Sequence, residues 1–426
     1  MKVLFLVGNL YLHAEPFGRI GDILRGLGVE SELYYTGDEE TVGDGHGIAG
    51  NGQAHIKSLN LFRIKPGRSL FYHILQFLGV LTNRVRIHSF LKRERPLVLV
   101  TGGDITNINT RLFLDLADAF GIKTVLVPIV IPGTSVVNPS PNKNIPLARL
   151  VRYLLRLVKM ERTIFFRGWV LGSYKRTALI AVPNEDAKHQ LLENGIATER
   201  IVVTGNPKDD RIHDLRSRGT EAESDLKALF GCPEASQLIV YCTEVIQDIH
   251  GISYFEQINE RLFDLFRGLP DDCRIVIKLH PREPLHIEQA YRRRFREGRF
   301  LVVRNEVDIL TLLKAARFVI GHFSAVLADA ALLGATVLSI RILAGNDIPI
   351  RFDVLNPFIH IGSYDELEWK CRAAIFDPSF GLKQKDAIDH WMGKAGFHHD
   401  GRNAQRIADL IAGQIQEGEN EIHWNH

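Results

Sequence analysis

The sequence predicts an α/β fold of two domains, each with a mostly parallel β-sheet. Short apolar runs alternate with helical patterns along most of the chain, which is typical of β-α-β units. A length of 426 residues also exceeds the usual size of a single domain. A charged stretch without a predicted strand, residues 206–236, separates two groups of strands. We therefore place the domain boundary in that stretch.

The first group of strands is predicted at 2–7, 97–101, 124–130, 178–182 and 201–204, and the second group at 238–242, 274–280, 317–320 and 336–340. Each is a short apolar run bounded by turn or polar residues. The expected domains are 1–206 and 207–390. Helical periodicity returns in the tail, so C-terminal helices are expected at 391–426, and they can pack on either domain.

Composition narrows the class of protein. A net charge of +2 gives no overall field that attracts nucleic acid, so no nucleic-acid partner is expected. Four cysteines lack the paired spacing of a disulfide framework or zinc cluster, which fits a reducing cytoplasm. The N-terminal apolar run is too short for a signal peptide, and no run reaches the roughly 20 residues of a membrane span. We expect a cytoplasmic protein.

Three residues able to carry positive charge stand at the end of the predicted strand at 274–280. The stretch IVIKLHPREP, residues 275–284, brings Lys278, His280 and Arg282 to the strand end, where Pro281 stops the strand. Ligands of parallel sheets gather at the carboxyl ends of the strands. These residues are candidates for binding an anion. The alternative is a strand that finishes in solvent.

A second candidate site lies at 316–341, which is predicted as a strand, a tight turn, an Ala-rich helix and another strand. Ser324 falls at the helix N-cap with Ala325 after it, and free backbone N–H groups at a helix start bind phosphate well. Asp329 on the same helix could accept hydrogen bonds from a ribose. Ordinary capping and an exposed acid are the alternatives. Together with the basic strand end, this segment predicts a site for a nucleotide phosphate.

These motifs resemble those of the GT-B superfamily, in which two Rossmann-like domains face each other across a cleft. KLHP, residues 278–281, is similar to the His-Pro motif of bacterial sialyltransferases and of capsule and CDP-glycerol polymer enzymes, where the histidine contacts the donor phosphate. Residues 308–338 are similar to the donor-binding segment of the same families. The resemblance implies an N-terminal acceptor domain and a C-terminal donor domain.

Two further motifs fall in the first domain. ERIVVTGNPKDDRI, residues 199–212, is similar to the segment that closes this domain in UDP-GlcNAc 2-epimerases and Kdo transferases, which implies donor contacts for Gly205 and Asn206. VLVTGGDITN, residues 98–107, resembles an epimerase strand end and puts Asp104 in its acidic position. The catalytic glutamate of the epimerase HVEAG segment has no counterpart, because the aligned stretch LVPIVIPGTS, residues 126–135, contains no acid. This difference favours transfer over epimerisation.

Transfer from a nucleotide requires stabilisation of the leaving phosphate, either by a metal or by fixed cationic and N–H donors. No Asp-x-Asp motif stands at a strand end, so metal-independent transfer without a cofactor is predicted. The acceptor hydroxyl needs a base if configuration inverts, and the candidates are His13, Glu15 and Asp104. His13 and Glu15 are expected to precede the first helix. Thr243 and Glu244, after the strand at 238–242, are further donor-side candidates.

A basic amphipathic helix is predicted at 146–159. Arg149, Arg152, Arg156 and Lys159 form its charged stripe, and a second basic run lies at 84–95. Such a helix suits the anionic inner face of the cytoplasmic membrane. The alternative is a core helix with a solvated face. RNA is a rival partner, but no RNA-binding motif accompanies these residues.

The predicted function is transfer of a sugar, or a related polyol phosphate, from a UDP-, CMP- or CDP-linked donor. The expected acceptor is a lipid-linked or growing glycan, such as a capsule or lipopolysaccharide precursor. One alternative is a sugar-nucleotide isomerase of the UDP-GlcNAc 2-epimerase type. A second alternative is a nucleotide-sugar binding protein without catalytic activity.

Overall fold

A computed structural model describes residues 1–36, 55–62, 70–103, 108–129, 177–218, 230, 237–246, 251–281, 283–296, 298–322, 325–342, 358–377 and 379–423. The chain divides into two compact units. The first consists of Met1–Asp210 and Ala395–His426, and the second of Arg211–Lys394. Among the described residues, no helix is both long and apolar enough to cross a membrane.

The first unit contains a parallel sheet of seven strands in the order β3-β2-β1-β4-β5-β6-β7. Its strands are β1 (Lys2–Val7), β2 (Glu30–Tyr35), β3 (Ile56–Ser58), β4 (Val98–Thr101), β5 (Lys123–Leu126), β6 (Leu179–Val182) and β7 (Ile201–Val203). Its helices are α1 (Leu10–Gly26), α2 (Leu70–Glu94), α3 (Ile108–Ala119), α4 (Glu185–Glu193) and α12 (Asn403–His423), while α5 (Pro207–Ser217) crosses the boundary between the units.

The second unit contains a parallel sheet of six strands in the order β10-β9-β8-β11-β12-β13. Its strands are β8 (Gln237–Cys242), β9 (Cys273–Lys278), β10 (Phe300–Val303), β11 (Phe318–Gly321), β12 (Thr336–Ile340) and β13 (Ile359–Ile361). Its helices are α6 (Ile252–Arg267), α7 (Leu285–Arg294), α8 (Ile309–Ala315), α9 (Ala325–Leu332), α10 (Tyr364–Phe376) and α11 (Leu382–Ala395). Both sheets confirm the predicted α/β class.

Each predicted strand is present, but four strands were missed. β3 and β13 have three residues each and β10 has four, and all three lie at sheet edges. β2 begins with the polar run ESE, so its apolar signal is weak. Helix α1 begins at Leu10. The expectation that His13 and Glu15 precede this helix was therefore wrong, since both lie within it.

Helices cover both faces of the first sheet. Alternate residues of β1 pack into the hydrophobic cores on the two faces of the sheet, because successive side chains of a strand point to opposite faces. Phe5 packs with residues of α1 and α12, among them Phe17 and Ile407. Leu4 packs with residues of α2 and α3, among them Phe113. Burial on both faces explains why the strands read as continuous apolar runs.

Helix α12 returns to the first unit through a buried polar contact. The Asp210 carboxylate accepts the backbone N–H groups of Asn403 at 2.9 Å and of Ala404 at 2.7 Å. These are free N–H groups of the first helical turn, where negative charge is stabilising. The Asn403 side chain also donates to the Asn206 carbonyl at 3.1 Å. The helix start is thus fixed to the segment after β7.

Candidate functional site

The loop between β9 and α7, residues 279–284, is held by a hydroxyl from the neighbouring strand β8. Thr243 is 2% exposed, and its Oγ1 accepts the backbone N–H of His280 at 2.9 Å. The same hydroxyl donates to the Glu283 carboxylate at 3.0 Å. Because a hydroxyl can donate and accept at once, Thr243 joins both halves of the loop. This arrangement fixes the backbone that carries the His280 side chain.

A guanidinium holds the same loop from the side of β10. Arg304 donates to the carbonyl of Pro281 at 2.9 Å and to that of Glu283 at 2.8 Å. Glu283 also donates its backbone N–H to the His280 carbonyl at 3.0 Å. The loop therefore has bonded partners on both neighbouring strands and within itself. A rigid support of this kind is what a positioned phosphate ligand requires.

Lys278 ends β9 beside Cys242 of β8. It is 8% exposed, and its ammonium donates to the carbonyls of Leu279, at 3.0 Å, and Arg304. Burial lowers the pKa of Lys278, because desolvation disfavours the charged form. In this conformation the Lys278 ammonium is hydrogen-bonded to backbone carbonyls. Its predicted contact with a phosphate stays a prediction.

The ends of β8 and β11 approach closely. A Cβ at Gly321 would lie 3.1 Å from the Cys242 carbonyl oxygen and 3.2 Å from a methyl group of Leu327. Burial raises the pKa of the Cys242 thiol to about 12, and the charges of Lys278, Glu244 and Asp329 also act on it. Three predicted donor-side residues thus surround one strand end. Asp329 is buried on α9 rather than exposed.

His322, which directly follows β11, is buried against α6. Its Nε2 lies 3.4 Å from the Tyr254 hydroxyl, and its carbonyl accepts the Ser339 hydroxyl at 2.9 Å. The ring also lies beside that of Tyr241 at a centroid distance of 6.4 Å. The imidazole therefore packs within the second unit.

Several predicted site residues lie outside the described part of the chain. These are Asp104, Arg282 and Ser324, together with Arg149, Arg152, Arg156 and Lys159 of the predicted basic helix. Ala325 is the first residue of α9. The roles assigned to all of them stay predictions.

In the first unit, His13 occupies the carboxyl edge of the sheet. It is 8% exposed, and its ring stacks on Phe17 at a centroid distance of 5.3 Å. Burial lowers the pKa of His13 to about 4. Glu15 lies in the second turn of α1 and is partly exposed. Its carboxylate lies 3.8 Å from the guanidinium of Arg19. His13 is therefore enclosed by the protein, whereas Glu15 reaches solvent.

Gly205 and Asn206 have a clear structural role in the first unit. Gly205 has a φ of +85°, and a Cβ there would lie 1.9 Å from Oδ1 of Asn403. Asn206 donates through its side chain to the Ile129 carbonyl at 3.0 Å. These contacts hold β5, β7 and α12 together. The predicted donor contacts of both residues stay predictions.

Sequence reasoning missed Glu283 and Arg304. Glu283 is 3% exposed, and a glutamate is rarely so buried unless it has bonded partners, as Glu283 has in Thr243. A signal was present, since an acid enclosed by Arg282, Pro281 and Pro284 directly after a strand is unusual for a solvated turn. Arg304 lies after β10, which was itself missed. Among the described residues, no group of three or more His, Cys, Asp or Glu side chains could hold a metal ion.

Comparisons with known proteins agree with this architecture. The family model of UDP-N-acetylglucosamine 2-epimerase matches residues 175–344, from the end of the first unit to β12. No curated protein sequence matches the chain. The likeness in sequence is thus confined to a part of the chain that includes most of the second sheet.

Solved structures match over nearly the whole chain. UDP-GlcNAc 2-epimerase from Neisseria meningitidis, bound to UDP-GlcNAc, has a TM-score of 0.63 and 16% identity, with coverage of 97% of this chain and 100% of that chain. UDP-GlcNAc 2-epimerase from Methanocaldococcus jannaschii, in complex with UDP-GlcNAc and UDP, has a TM-score of 0.58 and 17% identity, with coverage of 97% and 99%.

A polymerase is equally similar in structure. The wall teichoic acid polymerase TagF has a TM-score of 0.63 and 14% identity, with coverage of 99% of this chain and 90% of that chain. At such identities the likeness establishes the fold and not the reaction. The chain therefore has the GT-B fold that its motifs predicted, which it shares with UDP-GlcNAc 2-epimerases and with TagF.

Proposed function

We propose that the chain is a sugar-nucleotide enzyme that binds the phosphates of its substrate at the carboxyl edge of the second sheet. The observation that carries this proposal is the bonded support of the 279–284 loop by Thr243 and Arg304. It holds the His280 backbone next to the end of β8, the strand that lies between β9 and β11. The likeness to epimerase sequences over 175–344 covers this same region.

The first candidate reaction is isomerisation of a UDP-linked amino sugar at C2. The family match and the two epimerase structures favour it. Such a reaction removes the C2 proton and returns a proton to the opposite face of the sugar. It needs groups that exchange this proton, and Asp104 and Glu15 are the acids that the sequence predicts as candidates.

The second candidate is transfer of a sugar or polyol phosphate to a hydroxyl group of an acceptor. The acid-free stretch at 126–135 and the likeness to TagF favour it. Donors linked to UDP, CMP or CDP fit this reaction equally well. His280, Arg282 and the start of α9 would stabilise the leaving phosphate without a metal.

One experiment separates the two candidates. The protein is incubated with UDP-GlcNAc in D2O, and the products are analysed by NMR. Isomerisation introduces deuterium at C2 and yields the C2 epimer, whereas a transferase without an acceptor does neither. Absence of turnover with every donor and acceptor, combined with tight UDP binding, would identify a binding protein without catalytic activity.

Nucleotide binding itself is tested with a matched pair of histidine variants. His280→Ala is expected to weaken binding of UDP, measured by calorimetry, whereas His286→Ala is expected to leave it unchanged. His286 lies six positions along the chain and is exposed on α7. Equal affinity of both variants would contradict the proposed phosphate site.

The acceptor and the membrane contact belong to this proposal as well. A lipid-linked glycan at an anionic membrane would suit the basic residues at 149–159 and the basic run that ends α2. Sedimentation with vesicles that contain anionic lipid, compared with neutral vesicles, measures this contact. Equal recovery with both vesicle types would argue against it.

A further inference from the structure

His13 has a fixed tautomer. The backbone N–H of Asn9 donates to Nδ1 of His13 at 3.3 Å, so Nδ1 is an acceptor. A neutral imidazole carries one proton, which must therefore be on Nε2. The bond resembles a capping box, in which a side chain in the first turn returns to the N-cap backbone. Burial, which lowers the pKa of His13 to about 4, keeps the ring neutral.

The protonated Nε2 lies against the end of a neighbouring strand. β1 and β4 are adjacent and parallel, and a Cβ at Gly102, directly after β4, would lie 2.3 Å from Nε2. No hydrogen bond to Nε2 occurs within the described part of the chain. The N–H is thus held at the carboxyl edge of the first sheet, beside two successive glycines, and none of the described residues accepts its hydrogen bond.

We propose that His13 is a neutral hydrogen-bond donor to a substrate oxygen on which negative charge develops during the reaction. The inference rests on the proposed sugar-nucleotide function and assigns a role to one residue of the first unit. Because Nε2 already carries its proton, His13 does not accept one. Any proton that leaves the substrate must go to another group, for which Glu15 and Asp104 are the candidates.

Two substitutions by amide residues distinguish a hydrogen-bond donor at position 13 from a base. Glutamine places its N–H2 group near the position of Nε2, whereas asparagine reaches only the position of Nδ1. We expect His13→Gln to keep kcat for the sugar-nucleotide reaction within about tenfold of the wild-type value. His13→Asn and His13→Phe are expected to lose about 10²–10³-fold, the loss typical of a removed donor to a developing charge. His189→Gln, on the exposed side of α4, controls for loss of a histidine.

A steric variant tests the same contact without changing the histidine. Gly102→Ala would push the ring away from the strand end, and we expect a loss of kcat similar to that of His13→Asn. Gly26→Ala is the matched control, since a Cβ at Gly26 in the same unit has no atom within 4 Å. Binding of UDP and the melting temperature are measured for every variant.

The outcomes are separable. Equal loss in the glutamine and asparagine variants would overturn the donor role, because it would indicate a base. Loss of kcat that follows the melting temperature would also overturn it, because it would indicate packing alone. Selective ¹⁵N-histidine NMR of the free protein must show the Nε2–H tautomer. If the wild type binds no nucleotide and shows no turnover, the proposed function fails, whereas the tautomer is measured independently.

Discussion

Replacement of Thr243 by valine removes one hydroxyl that makes one buried and one partly buried hydrogen bond. The His280 N–H loses its acceptor and the Glu283 carboxylate loses a donor. An unmade bond to a buried neutral group costs about 1–3 kcal/mol, and one to a charged group typically about 1.5–3 kcal/mol. The added methyl group regains about 1 kcal/mol. We therefore expect the free energy of unfolding of the second unit to fall by about 1.5–5 kcal/mol.

The change is measured by thermal unfolding and by calorimetric binding of UDP. For a domain of 150–250 residues each kcal/mol lowers the melting temperature by about 2–4 °C, so a fall of roughly 3–20 °C is expected. Binding of UDP is expected to weaken about tenfold, because His280 loses its support. Thr243→Ser keeps the hydroxyl and should behave nearly as the wild type. A valine variant with wild-type stability and affinity would refute the reasoning.

Three further predictions concern other contacts. Gly321→Ala forces a methyl group against the Cys242 carbonyl, so we expect about 1–3 kcal/mol of destabilisation, measured by denaturant unfolding; an unchanged midpoint would contradict this close packing. Asp210→Ala removes both acceptors at the start of α12, and limited proteolysis should then release the C-terminal segment sooner than in the wild type, whereas an unchanged rate would show that packing alone holds the helix. Burial by itself would raise the pKa of Glu32, but hydrogen bonds from Lys57, Tyr34 and Lys2 outweigh it and hold the pKa at about 2. This ionised carboxylate stabilises the fold above its ordinary pKa of 4.5, and that contribution disappears as the pH falls toward 2. Lys2→Met should therefore reduce the loss of stability that occurs as the pH falls from 4.5 toward 2. If the stability of the variant depended on pH as that of the wild type does, this would argue against the hydrogen bonds to Glu32.

The strands of both sheets could be predicted because parallel sheets covered by helices need apolar residues on both faces. The same reasoning located the basic end of β9, since a polar residue after a buried strand is visible in sequence alone. The edge strands β3, β10 and β13 were missed because they are short, and β2 was missed because its polar start weakens the apolar signal. The resemblance of the motifs identified the fold, and the solved structures confirmed it.

The partners of the polar residues could not be predicted. Thr243 and Glu283 are 40 positions apart, and Asp210 meets Asn403 across 193 positions. Sequence pattern carries no information about which of many polar groups will meet across such distances. The hydrogen bonds from the Lys278 ammonium to backbone carbonyls could not be predicted from the sequence either.

The sequence by itself determined the α/β class, the division into two units and the chemical character of the loop after β9. These properties depend on local apolar periodicity and on the order of residue types along the chain. Only the tertiary structure decided that α12 joins the first unit, that Glu283 supports His280, and that the Asn9 N–H fixes the proton of His13. Those features depend on which groups are brought within hydrogen-bond distance, and packing of the whole unit sets that distance.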